Sequence, residues 1–524
     1  MSQIKQFSRE MLLRSVVAAV ALAFICAGVW KLEGERSELS IEQYQVGETP
    51  VTVYRLAGDA PAPAIVIAHG FAGSRQLMEA YALTLARVGY VAVALDFEGH
   101  GQNPTPMSGD VTRVDGTTKL LMAEIGRVTD FALALPGVDS RIGFLGHSMA
   151  SDIVVRQALA DPRVAATVAI SMFSQAVTPS EPHNLLIITG QWEAKLREDA
   201  LRNVRLADAS ATEGVTIGDF SANTGRRAVV APRVEHVGVL YSETALQETR
   251  DWLDAVFDRE SRGHVSATGG AIVLLLSGIV MLAWPLSRLW PRGDKAPPAL
   301  SLTTYIVAVF IPALLTPFVL SVVDTRFLSV LVADYLAAHL FVYGVISLGL
   351  LLLLGIRFGH VAWFAAFALA AYGILVFGGA LDRYVASFWP IEPRLWIIAV
   401  VAIGALPYMI SDSLVTEGGR ARVWRILVAR VAFIVSLGAA VALDFERLFF
   451  LVIIIPVIIL FFIVFGLMGA WVGRRTGSPV AVGIALGLLL AWAIGVSFPM
   501  FDPSRAAQPG SAMNQQAKPK PGLS

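Results

Sequence analysis

Cysteine is nearly missing from this chain. Cys26 is the only one in 524 residues, so no intrachain disulfide can form and no cysteine-based metal site is suggested. Charge is scarce too. Asp, Glu, Lys and Arg make up 16% of the residues and cancel to a formal net charge of zero. That removes any general electrostatic case for nucleic acid as a partner. Apolar residues fill the gap at 55%, too many for one soluble globule. They are unevenly spread. Residues 36–262 mix charge with short apolar stretches, as a soluble domain does. Residues 263–500 are dominated by apolar runs, where about 20 residues suffice to cross a bilayer. The last stretch, 501–524, is rich in Pro, Gln, Ala and Lys and reads as disordered.

The membrane plan follows from those runs. Lys5, Arg9 and Arg14 precede the uncharged stretch Ser15–Trp30, so residues 1–35 read as a signal anchor or a signal peptide. An uncleaved anchor is favoured, because no clear small-x-small site precedes the polar segment. Eight further spans are drawn near 267–287, 302–323, 330–355, 361–380, 395–411, 426–443, 448–471 and 479–499, of which 395–411 is the shortest. With the N-terminus in the cytoplasm, Ser287–Lys295, Arg357–His360, Ser411–Arg425 and Gly473–Gly477 are cytoplasmic and carry nine Lys and Arg residues. The loops on the other side hold fewer, chiefly Arg326, Arg383, Arg394 and Arg447. This positive-inside bias predicts a multi-pass plasma membrane protein with the soluble domain and the tail outside. Within the spans, Asp334 and His339 suit interhelical hydrogen bonds or an interfacial position, with a polar path as the sharper alternative. Arg430 is expected to snorkel toward the cytoplasmic surface. The small residues of 478–490 suit close helix packing.

In the soluble part, short apolar strands alternate with helices. Strands are expected at Ala64–Ala68, Tyr90–Leu95, Ile142–Leu145, Val164–Ser171, Leu185–Thr189 and Arg227–Ala231, after a strand or hairpin over Ile41–Leu56. Helices are expected at Arg75–Val88, Val111–Leu135, Ala150–Ala160, Glu193–Ala207 and Glu243–Phe257. That alternation implies an α/β fold with a mostly parallel sheet covered on both faces, and it puts functional groups at the strand C-termini.

The chemistry falls there. Gly146-His147-Ser148-Met149-Ala150 joins an apolar strand to a helix, the setting in which a serine hydrolase holds its nucleophile on a sharp turn. Its fifth position is Ala150, the next smallest residue to the usual glycine. Ser148 needs a base to take its proton, and the base needs an acid to orient it. His236, in the loop after Arg227–Ala231, is the leading base, ahead of His147, His69 and His183. His147 is expected to point away from the reacting centre. Glu193, just past Leu185–Thr189, is the leading acid, ahead of Glu198 and Asp199 deeper in the following helix. His69-Gly70-Phe71-Ala72-Gly73 is small enough for the Phe71 N–H to reach an oxyanion, with the Met149 N–H as second donor. Asp96 and His100, in Asp96-Phe97-Glu98-Gly99-His100-Gly101, are expected to be structural.

Taken in order, HGFAGS, DFEGHG, GHSMA, GQWE and EHVG make residues about 45–260 resemble the α/β-hydrolase superfamily. The resemblance implies acyl-transfer chemistry through a covalent serine ester, acting on an ester, thioester or amide. No cofactor and no metal are implied. Only Phe173–Asn184 is available for a cap, too short for a lid domain. An acyl substrate held in or presented at the bilayer is therefore weighed against a soluble one. A transporter or scaffold with an accessory hydrolase-like domain is the alternative from another class. Hydrolysis and transfer to a second hydroxyl stay open.

Overall fold

The computed structural model describes residues 2–58, 60–108, 114–261, 263–293, 299–330, 332–502 and 518–519. Its contacts divide the chain into two units. One holds Gly28–Val273 together with Asp382–Ser387 and Pro499–Ser524. The other holds Met1–Ala27, Leu274–Leu381 and Phe388–Phe498.

The first unit is built on a twisted sheet. Its strands are β1 (Leu39–Val46), β2 (Thr49–Leu56), β3 (Ala62–Ala68), β4 (Val91–Leu95), β6 (Val138–His147), β7 (Val164–Ile170), β8 (Leu185–Gly190) and β9 (Arg226–Ala231). A two-residue strand, β5 (Met107–Ser108), lies outside this sheet. From β1 the order is β1-β2-β4-β3-β6-β7-β8-β9. The β1–β2 and β2–β4 pairs are antiparallel, and every later pair is parallel.

Period-two alternation explains why both faces are covered. On β3, Ile65 and Ile67 join a core with α2 (Glu79–Arg87) and α6 (Glu243–Phe257), through Tyr81, Leu85, Leu246 and Leu253. Ala64, Val66 and Ala68 point the other way, to α3 (Lys119–Leu133) and α4 (Met149–Ala160), through Leu121, Ile125, Val128, Ile153 and Val154. Helix α5 (Ala194–Arg205) closes a third cluster with Ala200 and Val204. No helix lies between β7 and β8. Of the segment expected to be helical from Val111, residues 111–113 lie outside the described residues, and the α-helix itself starts at Lys119.

Of the C-terminal tail, 503–517 and 520–524 lie outside the described residues. Phe501–Asp502 corrects the expectation of a structureless tail: it forms a short strand, β10, parallel to β5. Backbone pairing also joins β11 (Lys518–Pro519) to β1.

The second unit is helical. Among the described residues, nine helices of the chain are long and apolar enough to cross a membrane, compatible with a multi-pass membrane protein. The first is α1 (Ser2–Arg36), whose apolar stretch is Arg9–Arg36. It is followed by α7 (Gly269–Ser287), α8 (Leu302–Ser321) and α9 (Ala333–Leu353). The next is broken, with α10 (Trp363–Ala371) and α11 (Gly378–Tyr384) joined through a π-helical turn at Tyr372–Phe377. The last four are α12 (Glu392–Val415), α13 (Val423–Leu443), α14 (Phe445–Thr476) and α15 (Pro479–Ser497).

Two spans outgrow their apolar cores. The stretch expected at 395–411 extends to 24 residues in α12, and that at 448–471 to 32 in α14. Polar residues at each end continue the backbone hydrogen bonding that the apolar run begins. The small residues near 480 pack as expected: a Cβ on Gly483 would meet Ile410 Cα at 2.5 Å, and one on Gly487 would meet Leu406 Cα at 2.9 Å. His339 on α9 hydrogen-bonds Ser436 on α13 at 3.1 Å, and Asp334 accepts the Tyr335 N–H in the first turn of α9. Arg430 is held by partners on neighbouring helices. Its guanidinium donates to the Phe462 carbonyl at 3.2 Å, lies over the Phe462 ring and faces Asp412 at 3.6 Å.

Candidate active site

Strand β6 ends at His147, and α4 begins at Met149, so Ser148 carries the whole turn alone. It does so at φ 54° and ψ −118°, a strained backbone for a residue with a Cβ. Hydrogen bonds to its backbone hold it there. The Ser148 N–H donates to the Ile170 carbonyl at 2.9 Å, and its own carbonyl accepts from the Ser151 hydroxyl at 2.5 Å. Gly146 is required by crowding, since a Cβ there would sit 2.5 Å from the Ala150 carbonyl oxygen. Ala150 is fully buried in the position that usually holds glycine.

The turn aims the Ser148 hydroxyl at a histidine. His236 Nε2 lies 2.9 Å from Ser148 Oγ, and Nδ1 lies 2.5 Å from Glu193 Oε1. An ionised carboxylate can only accept, so the proton on the neutral ring belongs on Nδ1. Nε2 is then the acceptor that faces the serine O–H. Glu193 Oε2 accepts from the Ser171 hydroxyl at 2.7 Å and from the Gly190 N–H at 2.6 Å. The Glu193 side chain is only 5% exposed, while His236 is 42% exposed and open to a ligand. Burial alone would push the Glu193 pKa up. The hydrogen bonds from His236, Gly190 and Ser171 outweigh it and hold the group below the usual carboxylate range.

The loops carrying acid and base are docked together. The Gln191 N–H donates to the Ala231 carbonyl and the Trp192 N–H to the Val234 carbonyl. Glu235 shapes the histidine turn by accepting the N–H groups of Val237 and Gly238, each at 2.8 Å.

The His69–Gly73 loop closes over the elbow. A Cβ on Gly70 would lie 2.9 Å from Ser148 Cβ, so only a glycine lets the loop come this near. Phe71, the next residue, and Met149, the first of α4, are both half-buried beside Ser148. His69 is not at the reacting centre. It is buried, accepts the Phe97 N–H at Nε2 and is bonded to the Gly70 carbonyl at Nδ1. Gly70→Ala is expected to cost about 1–3 kcal/mol of stability and to lower turnover at least about tenfold by lifting the loop. Thermal melting together with steady-state kinetics checks both.

The other residues weighed in the sequence fall elsewhere. Asp96 is buried and accepts from the Arg75 N–H at 2.7 Å and the Gln102 N–H at 3.0 Å, with the Arg75 guanidinium also on its carboxylate. His100 is buried, its Nδ1 bonded to the Glu98 carbonyl at 2.9 Å. Glu198 is exposed, Asp199 pairs with Arg202, and His183 pairs with Glu181 at the surface. His147 was expected to point away from the reacting centre, but its ring lies beside His236, a partner that sequence reasoning missed. Its Nε2–H donates to the His236 carbonyl at 2.8 Å, and the two rings lie 4.9 Å apart. Burial, then the neighbouring His236, pushes its pKa down to about 3, which keeps it neutral. Ser171 was also missed, although the end of the strand beside the acid strand is a natural place for a partner to Glu193. Among the described residues no cluster of His, Cys, Asp and Glu could hold a metal ion.

A mostly parallel sheet in this order, with a strained serine between its central strand and a helix, is the α/β-hydrolase fold. Residues 59–218 match the family model described as serine aminopeptidase, S33, so this part of the chain is a hydrolase domain of that fold. Among solved structures, the chain is similar to a dienelactone hydrolase from Anabaena variabilis, with 18% identity, coverage of 43% of this chain and 100% of that one, and a TM-score of 0.30. It is also similar to a ferulic acid esterase from Streptomyces cinnamoneus, with 18% identity, coverage of 44% and 90%, and a TM-score of 0.29. No curated protein matches the chain.

Proposed function

We propose that this protein is a membrane-anchored serine hydrolase that cleaves an acyl ester, thioester or amide through an acyl-enzyme, with Ser148, His236 and Glu193 as its triad. The observation that carries this reading is the unbroken relay from Ser148 Oγ through His236 to Glu193. Ser148 Oγ attacks the acyl carbon while His236 Nε2 takes its proton. The N–H groups of Phe71 and Met149 hold the oxygen that becomes negative, and the start of α4 favours that charge. His236 then gives the proton to the leaving group, and Ser148 is left esterified. Water, deprotonated by the same imidazole, releases the acid and restores the serine. Glu193 stays ionised and stabilises the imidazolium formed in each half.

An acyl substrate from the bilayer suits the rim of the site. Trp192 beside Glu193 is 65% exposed, Val237 beside His236 is 46% exposed, and Phe173, two residues past Ser171, is 47% exposed. Bare apolar side chains on three loops around one relay favour an apolar chain over a polar ligand. The bias of basic residues toward one set of loops in the helical region supports a hydrolase on the periplasmic or extracellular side. The test compares lauroyl and butyryl esters of one alcohol with the full chain in micelles. The expected result is a kcat/KM higher by roughly tenfold or more for the longer chain. Equal values would remove the lipid substrate, and no cleavage of any ester, thioester or amide would remove the hydrolase.

A further inference from the structure

Two stretches of chain far from the elbow in sequence belong to the hydrolase unit: Asp382–Ser387, at and just past the end of α11, and Pro499–Asp502, just past α15. Both bind the loops on the oxyanion side. The Ser387 N–H donates to Ser74 Oγ at 3.0 Å. Ser74 is buried and directly follows the His69–Gly73 loop. The Ser387 hydroxyl accepts from Gln102 Nε2 at 2.8 Å, and Gln102 belongs to the second loop, which follows β4. One serine thus ties the two loops together. Met500 grips the second loop again, its N–H donating to the Gly99 carbonyl at 2.9 Å and its carbonyl accepting the Met107 N–H at 3.0 Å.

Those loops stand directly behind the oxyanion donor. His100 in the second loop packs edge-on against Phe71, with ring centroids 6.0 Å apart, and lies tilted against His69 at 5.1 Å. The segment carrying Ser387 is itself fixed. Arg383 pairs with both oxygens of Glu33, at 3.0 Å each, and the Tyr384 hydroxyl donates to Glu33 at 2.7 Å. Without Ser387 and Met500, the Ser74 hydroxyl, the Gln102 amide and the Gly99 carbonyl each lose a partner.

We propose that Ser387 and Met500 are positioning residues for the hydrolase reaction: they hold the two loops that aim the Phe71 N–H at the developing oxyanion. This rests on the acyl-transfer reading of the site. It extends the hydrolase unit's working parts beyond residues 36–262, to two stretches that follow membrane-length helices in the sequence.

The test uses the full chain in micelles with a small soluble ester. The Ser74→Ala/Ser387→Ala double variant is expected to lose about tenfold or more in kcat, with KM within about twofold. Affinity for a trifluoromethyl ketone, whose hemiketal with Ser148 carries the oxyanion, should fall by the same factor. Affinity for the matching alcohol, which forms no such adduct, should not change. Ser387→Thr keeps both the N–H and the hydroxyl and should retain wild-type turnover. Gln102→Ala tests the same bridge from its other end should the double variant fail to fold. Wild-type kcat and ketone affinity in the variants would overturn the proposal, as would a kcat loss with ketone affinity unchanged. Retention of hydrolysis by Ser148→Ala would instead overturn the reading of the site itself.

Discussion

Ser148→Ala is expected to lower turnover of an acyl ester by on the order of 10⁶-fold. The fall is this large because, on the proposed mechanism, neither nearby serine can replace the nucleophile. Neighbouring Ser151 spends its hydroxyl on the Ser148 carbonyl, and Ser171 spends its own on Glu193. The positive φ at residue 148 is kept in the variant, because strand β6 and helix α4 impose it from both sides. Alanine fits that backbone no worse than serine, so melting temperature should stay within about a degree or two. Loss of turnover with folding intact is the expected pair of results. Substantial hydrolysis by the alanine variant would move the chemistry to another group.

Glu193→Gln is expected to cost about 10⁴-fold in kcat with little change in KM. The carboxylate only accepts, and it fixes the imidazole proton on Nδ1. A glutamine that turns its NH₂ toward His236 would reverse the tautomer and leave no acceptor for the serine proton. Ser171 and the Gly190 N–H donate to the other oxygen, so they favour keeping the amide oxygen on their side and its NH₂ toward the histidine. The same arrangement that holds the wild-type Glu193 pKa low therefore makes the substitution severe. Glu198→Gln, at an exposed helix position, should leave kcat within about twofold. Steady-state kinetics of the two variants checks the ranking, and the reverse order would reassign the acid.

What could be read from the sequence was local. A strand running into Gly146-His147-Ser148, a carboxylate just past a strand and a histidine in the loop after the next one are each decided within a few residues. The structure brings Ser148, Glu193 and His236 together at hydrogen-bond distance. Helices and strands fell near their expected positions because apolar periodicity and turn residues mark them. The span ends were harder, since α12 and α14 continue through polar residues that carry no membrane signal.

The misses were contacts between residues distant in the chain. Arg430 meets Asp412 because α12 and α13 lie side by side, which spacing does not disclose. His147 was expected to point away from the reacting centre, whereas its partner is the carbonyl of His236, 89 residues away. Ser387 lies 313 residues from Ser74, in a stretch whose composition marks it only as a loop between spans. Phe501–Asp502 has the composition of a tail, and it is ordered by an edge that β5 supplies.

On the proposed mechanism, His236 makes the Ser148 hydroxyl nucleophilic. This is tested most directly by the site of covalent modification. Full-length protein in micelles is treated with a fluorophosphonate, digested and mapped by mass spectrometry. One phosphonylated serine, Ser148, is expected, with labelling that His236→Ala slows by at least about 10³-fold. A label on any other residue, or equal labelling rates with and without His236, would contradict it.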